Sequence, residues 1–293
     1  MPKKSTIVPN LLRTSLSTLE RLNPAASAAV AERLWFRVGT PPPADRRNRH
    51  VTDPGRPFTV THNGHDIHGR TWGDQSAPPA YLIHGWGGWW QQLSSFVPVL
   101  TAQGFRVIAF DALAHGDSGP GSLGGRCSTV PEMAECYHAV ADRWGTPTLT
   151  VAHSMGCLSV IWAQRHHGIT PDRQVLISAA ATTSGMLDVF CGALGLGTPT
   201  RDRLVERFRR RMNRPLADFD LLPLVAAEQA DRHLPPALIV HDRDDPMTSP
   251  IESEALAAQW PNSDLLLTEG HGHYRVLRAP EVLERTVDFA RVT

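Results

Sequence analysis

From Phe58 onward the chain repeats one theme, a short apolar run followed by a stretch with helical periodicity. Phe58-Thr59-Val60-Thr61 alternates, Asn63-Gly64 is a strong hairpin turn, and Asp66 to Trp72 alternates again. Six apolar runs follow: Ala80 to His84, Arg106 to Phe110, Thr148 to His153, Gln174 to Ala179, Ala237 to His241 and Asp264 to Thr268. Runs this apolar predict strands covered on both faces, hence a mostly parallel sheet. Their alternation with helical stretches predicts a doubly wound α/β domain over residues 56–293. One long interval, Ala181 to His233, interrupts the rhythm. A connection of that length inside a compact domain usually has a job, and a small helical cap insertion over about 181–233 is expected.

The first 55 residues read differently. Leu11, Leu12, Leu16, Leu19 and Leu22 recur at helical spacing before Pro24, and Ala25 to Val38 forms a second helical patch. Thr40-Pro41-Pro42-Pro43 then stops any helix and reads as a linker. Up to Val30 the one acid is Glu20, against Lys3, Lys4, Arg13 and Arg21. An organellar transit peptide has that bias, but a docked or frayed N-terminal arm is the preferred reading.

Composition narrows the class. The chain has 293 residues, with 29 basic and 29 acidic side chains and 41% apolar residues, which excludes a disordered chain. Balanced charge argues against nucleic acid as the main partner, since no strong basic field exists to displace counterions from phosphates. No run is long and apolar enough to span a membrane, and no apolar segment with a cleavage site marks secretion, so a cytoplasmic location is expected. Cys127, Cys136, Cys157 and Cys191 show no C-x-x-C spacing and are expected to be reduced thiols. His62, His65 and His68 surround Asp66, but a hairpin would split their rings between faces. No metal and no cofactor is expected.

The segment Thr148-Leu-Thr-Val-Ala-His-Ser154-Met-Gly156 carries the chemistry. A strand runs into a small-x-Ser-x-Gly turn and then into a helical stretch, the context of a nucleophile elbow. Ser122, in Pro120-Gly-Ser-Leu-Gly124, lacks a preceding strand and is a decoy. A serine needs a base, and the base needs an orienting acid. The acid should end a late strand, where Asp242, Asp244 and Asp245 compete. Asp245 is favoured because Pro246 forces a turn there, with Asp244 second. The base should follow one more strand, where His273 is chosen over His271 because it follows Gly270-His-Gly272 directly. Backbone N–H groups of Met155 and Trp86 are the expected oxyanion donors, the latter from the glycine-rich loop His84-Gly-Trp-Gly-Gly88. No G-K-[ST] follows that loop, which argues against nucleotide binding.

Four segments together resemble the α/β-hydrolase superfamily: His84-Gly-Trp-Gly-Gly, Phe110-Asp-Ala-Leu-Ala-His-Gly-Asp-Ser118, Ala152-His-Ser-Met-Gly and Gly270-His-Gly-His273. Ala152 and Ala114 stand where the family usually has glycine. The resemblance implies an eight-stranded sheet, a Ser-acid-His triad and a cap where 181–233 falls. It also implies that Asp111, His115 and Ser118 are structural. The expectation is a cofactor-independent hydrolase of small-molecule carboxylic esters acting through an acyl-enzyme. Thioester or C–C bond hydrolysis by the same triad, and a non-catalytic small-molecule receptor, are the alternatives. Trp86, Trp89, Met155 and Phe190 are the candidate substrate-binding side chains. Arg201 to Arg214, with seven arginines, reads as a solvated helix face or as a greeting surface for an anionic substrate tail.

Overall fold

The computed structural model describes residues 10–231 and 234–291. Residues 1–9 of the arm, the cap boundary at 232–233 and the last two positions lie outside the described residues. Eight strands form one sheet: β1 (Arg56–His62), β2 (His65–Trp72), β3 (Pro79–Ile83), β4 (Arg106–Phe110), β5 (Leu149–His153), β6 (Arg173–Ile177), β7 (Ala237–Asp242) and β8 (Ser263–Thr268). Their spatial order is β1-β2-β4-β3-β5-β6-β7-β8. The hairpin β1–β2 joins β4 antiparallel, and every later pairing is parallel. The sheet is therefore a mostly parallel α/β-hydrolase sheet flanked by helices. Asn63 and Gly64 both take positive φ, 49° and 79°, as a tight two-residue hairpin requires.

Two compact units divide the chain. The larger comprises residues 38–181 and 224–293 and holds the sheet. Alternate side chains of each strand fill its two faces. On one face Leu82, Val107, Val151, Val175, Leu238 and Val240 pack under Phe96, Leu100, Val282 and Phe289 from flanking helices. On the other, Tyr81 meets Tyr137 of the helix Val130–Trp144 edge-on, with ring centroids 5.4 Å apart. Tyr137 and Thr150 share a buried hydrogen bond of 2.7 Å between their hydroxyls. Each fully buried aliphatic side chain contributes about 1.5–3 kcal/mol, so burial on both faces is what fixes the strand register.

The smaller unit comprises residues 1–37 and 182–223. Asn23 accepts the Ala26 N–H and Pro24 opens the next helix, so the arm forms two helices, Asn10–Leu22 and Pro24–Trp35. Leu16 is buried, whereas Leu11 and Leu22 are exposed, so the leucine stripe is only partly used. Two acids tie the arm to the helix Thr198–Met212. Glu20 accepts the backbone N–H groups of Gly197 and Thr200, which caps that helix from outside and meets its positive end. Glu32 is buried and takes Arg207 and Arg211, each through a 2.7–2.8 Å hydrogen bond. Burial pulls the Glu32 carboxyl upward, but the two guanidinium groups outweigh it and hold it below its ordinary value. The arginine-rich stretch is largely neutralised inside this unit. Arg201 pairs with Asp188, Arg209 and Arg210 with Glu206, and Arg214 with Asp218. Phe208, Leu194 and Leu196 are buried, and Phe208 stacks on Phe36 at 5.8 Å.

Among the described residues no helix is long and apolar enough to cross a membrane. All four cysteines are free thiols, three of them buried.

Replacing Glu32 by Gln should lower the stability of the smaller unit by about 2 kcal/mol at neutral pH, the half-exposed arginines limiting the loss. Because the folded carboxyl lies below its unfolded value, the stabilisation is present above about pH 4.3 and fades as pH falls through the folded value. Urea unfolding of wild type and Glu32→Gln across pH, followed by hydrogen exchange in 10–37 and 198–212, should show a gap at pH 7 that closes in acid.

Candidate active site

The site begins with a strained serine. Ser154 follows β5 directly, has φ 56° and ψ −123°, and precedes the helix Met155–His167. A side-chain-bearing residue there costs on the order of 1–3 kcal/mol, which the surroundings must offset. They do so by pinning both ends. The Ser154 N–H continues the ladder to Ile177 O at 2.9 Å, and the Cys157 N–H returns to Ser154 O at 3.0 Å. Gly156 passes so close to the preceding loop that a Cβ would lie 2.5 Å from His84 O and 2.8 Å from Ile83 O. Ala152, by contrast, sits within the β5 ladder at a conformation that needs no glycine, and its methyl is fully buried.

The glycine-rich loop after β3 abuts the elbow. A Cβ on Gly85 would lie 2.9 Å from Ser154 Cβ and 3.4 Å from Met155 N. Trp86 follows, half-buried, with its ring edge-on to His115 at 5.5 Å. Trp90 differs from its neighbours: its ring is buried against Trp72, so it is a core side chain. Trp89 is half-buried. Phe190 packs edge-on against Trp35 in the smaller unit, with centroids 5.2 Å apart.

The loop after β4 is a scaffold. The Asp111 carboxylate accepts the N–H groups of Trp90 at 2.7 Å and Asp117 at 2.9 Å. Gly116 lies directly against that carboxylate with φ 44°, leaving no room for a side chain. Ala114 has φ 66°, which gives the family's preference for glycine there a physical reason. Ser118 bonds Asp111 O and receives the His68 N–H. His84 accepts the Ala112 N–H on Nε2 at 3.0 Å, so its proton sits on Nδ1 and donates to Gly85 O at 2.7 Å. Burial keeps His84 neutral and pushes His115 down to about 3.

The three aspartates after β7 have separate fates. Asp242 is buried and accepts Thr268 Oγ1 and the N–H groups of Asp244, His271 and Gly272, which ties two loops together. Asp244 accepts the Gly270 N–H at the surface. Asp245 reaches His273, with Oδ2 2.7 Å from Nδ1 and both side chains buried. Its Oδ1 accepts the Met247 and Thr248 N–H groups, and Thr248 Oγ1 donates to Oδ2 at 3.0 Å. Burial pulls the Asp245 carboxyl upward, but the His273 hydrogen bond and charge, with those N–H groups, hold it far below the carboxylate range. A carboxylate has no proton to give, so His273 carries its proton on Nδ1 and, when neutral, offers a bare Nε2. His271 turns elsewhere, to Glu281 at 2.8 Å.

The imidazole of His273 lies against the elbow through His153, the residue before Ser154. Their rings are 4.6 Å apart, and His153 Nε2–H donates to His273 O at 2.9 Å. Burial first, then the His273 charge, pushes His153 down to about 3, so it remains a neutral spacer. Among the described residues no hydrogen bond joins Ser154 Oγ to His273. Tyr274, half-exposed, flanks both imidazoles. His153 was an unspecified position in the elbow pattern and His241 an ordinary strand residue; neither carries a local signal of its contacts.

A family model described as "Alpha/beta hydrolase family" matches residues 80–286. The chain belongs to the alpha/beta hydrolase family. A pyrethroid hydrolase from Sphingobium wenxiniae is 32% identical over 124 residues, which is 40% of this chain and 42% of that protein. The chain thus matches about two fifths of the length of that curated relative. Among solved structures, Est1E from Butyrivibrio proteoclasticus with bound ferulic acid has TM-score 0.60 and 19% identity, over 79% of this chain and 98% of that one. A bacterial membrane phospholipase A has TM-score 0.61 and 17% identity over 97% of both chains. These structural likenesses establish the fold.

Gly156→Ala should destabilise the larger unit by about 1–3 kcal/mol, because the new methyl meets two backbone carbonyls that cannot give way. Thermal unfolding checks it, and an unchanged midpoint would show that the loop–elbow contact is slack.

Proposed function

We propose that this alpha/beta hydrolase cleaves carboxylic esters through an acyl-enzyme on Ser154. The observation that carries the reading is the strained Ser154 at the end of β5, with a buried Asp245–His273 pair packed on His153 beside it. In this reading His273 Nε2 takes the Ser154 hydroxyl proton as the oxygen attacks the ester carbonyl. The backbone N–H groups of Trp86 and Met155 hold the oxyanion, an assignment supported by the close approach of Gly85 to Met155 N. The imidazolium returns its proton to the departing alcohol. Water then adds to the acyl carbonyl with His273 again as base, releasing the acid and restoring Ser154. Asp245 keeps the proton on Nδ1 and stabilises the imidazolium. Trp86, Trp89 and Met155 are the proposed walls of the acyl site. The names of the pyrethroid hydrolase and of Est1E fit an ester substrate.

The test is turnover of p-nitrophenyl esters of graded chain length, beside thioesters and a vinylogous diketone. Ser154→Ala should lower ester kcat by at least about a thousandfold, and Asp245→Asn by about 10³–10⁴-fold through the wrong tautomer. Ester turnover that survives in Ser154→Ala would refute the proposal, and preference for the thioester or diketone would move the substrate class.

A further inference from the structure

Asp245 has a second imidazole beside it. His241, inside β7, is fully buried, and its Nε2 lies 3.5 Å from the same Asp245 Oδ2 that receives His273. The same nitrogen is 3.2 Å from Thr248 O and 3.4 Å from Thr248 Oγ1. Thr248 Oγ1 in turn donates to Asp245 Oδ2 and lies 3.5 Å from His273 Nδ1. On the other side of the ring, Nδ1 is 2.7 Å from Ser253 Oγ on the helix Pro250–Gln259.

The tautomer follows from the partners. Nε2 faces a carbonyl and a carboxylate, both acceptors, so it must carry a proton. Nδ1 is then bare and accepts from Ser253 Oγ–H. The charged and titratable groups around the ring are Asp245, His273 and Glu252. Desolvation outweighs the pull of Asp245 and keeps the ring neutral.

We propose that His241 is a positioning residue for the orienting carboxylate, locked by Ser253 so that its Nε2–H steadies the 245–248 turn and shares the charge of Asp245 Oδ2. This rests on the Ser154–His273–Asp245 reading. The ring braces the peptide that carries Thr248, and with it the two N–H groups that fix Oδ1. It also draws part of the carboxylate charge away from His273. Removing the N–H leaves more negative charge facing His273 Nδ1–H, which favours the imidazolium and moves the acid limb of the pH–rate profile upward.

The experiment measures kcat, KM and the pH profile of kcat/KM for a short p-nitrophenyl ester in wild type, His241→Leu, His241→Gln and Ser154→Ala. His241→Leu keeps the bulk and removes the donor, whereas a glutamine amide places an N–H close to the original Nε2. His241→Leu should lower kcat by about tenfold with little change in KM, and its acid limb should rise by about half a pH unit. His241→Gln should restore kcat to within about threefold of wild type and return the limb. An acid limb that stays in place in a folded His241→Leu, or an equal loss in both variants, would overturn the inference. If His241→Leu does not fold, His241→Met, which fills the space without a donor, decides: an upward limb supports the proposal and an unmoved one overturns it. Turnover surviving in Ser154→Ala would instead sink the underlying reading, and this inference with it.

Discussion

Everything at the candidate site depends on one backbone constraint, the left-handed turn at Ser154. A serine does not adopt φ 56° unaided. The turn holds because β5 is locked between β3 and β6 on one side of it, and the helix from Met155 begins at once on the other. Close packing completes the grip: Gly85 and Gly156 bring two backbones nearer than side chains would allow. The strain is offset by burial in strands that are fully covered. Its product is geometric, a serine held between the end of β5 and the start of a helix.

Burial also sorts the imidazoles. His84, His115, His153 and His241 are enclosed, and desolvation keeps each of them neutral. A neutral ring has one donor and one acceptor, so it can serve as a directional strut. His84 joins the β3 and β4 loops, and His153 joins the elbow to the His273 backbone. His273 is the ring bonded to a buried carboxylate that is itself held by three other donors. The same residue type thus serves as framework and as proposed base, and local dielectric and partner decide which.

Much of this was legible in the sequence. All eight strands show as apolar or alternating runs; the inner ones do so because a strand covered on both faces must be apolar, whereas the edge strands β1 and β8 are only partly covered. Asp245 stands out from Asp242 and Asp244 through Pro246, which turns the chain where a carboxylate can reach another loop. Ala114 reads as a departure, and its positive φ explains why glycine is the usual residue. Other features have no local signature. The union of Glu20 and Glu32 with the helix 198–212 spans more than 170 positions, and nothing near either acid announces its partner. Glu206 sits inside the arginine stretch and pairs at helical spacing, but the partner of Arg207 and Arg211, Glu32, lies far off in the sequence. Trp90 is indistinguishable from Trp86 until its ring is seen against Trp72.

The most direct measurement is the site of covalent capture. Wild-type protein treated with a fluorophosphonate, digested and analysed by peptide mass spectrometry should carry the phosphonyl group on the peptide containing Ser154, with fragment ions placing it on that residue. An adduct on Ser122 or any other side chain, or no adduct on correctly folded protein, would contradict the account.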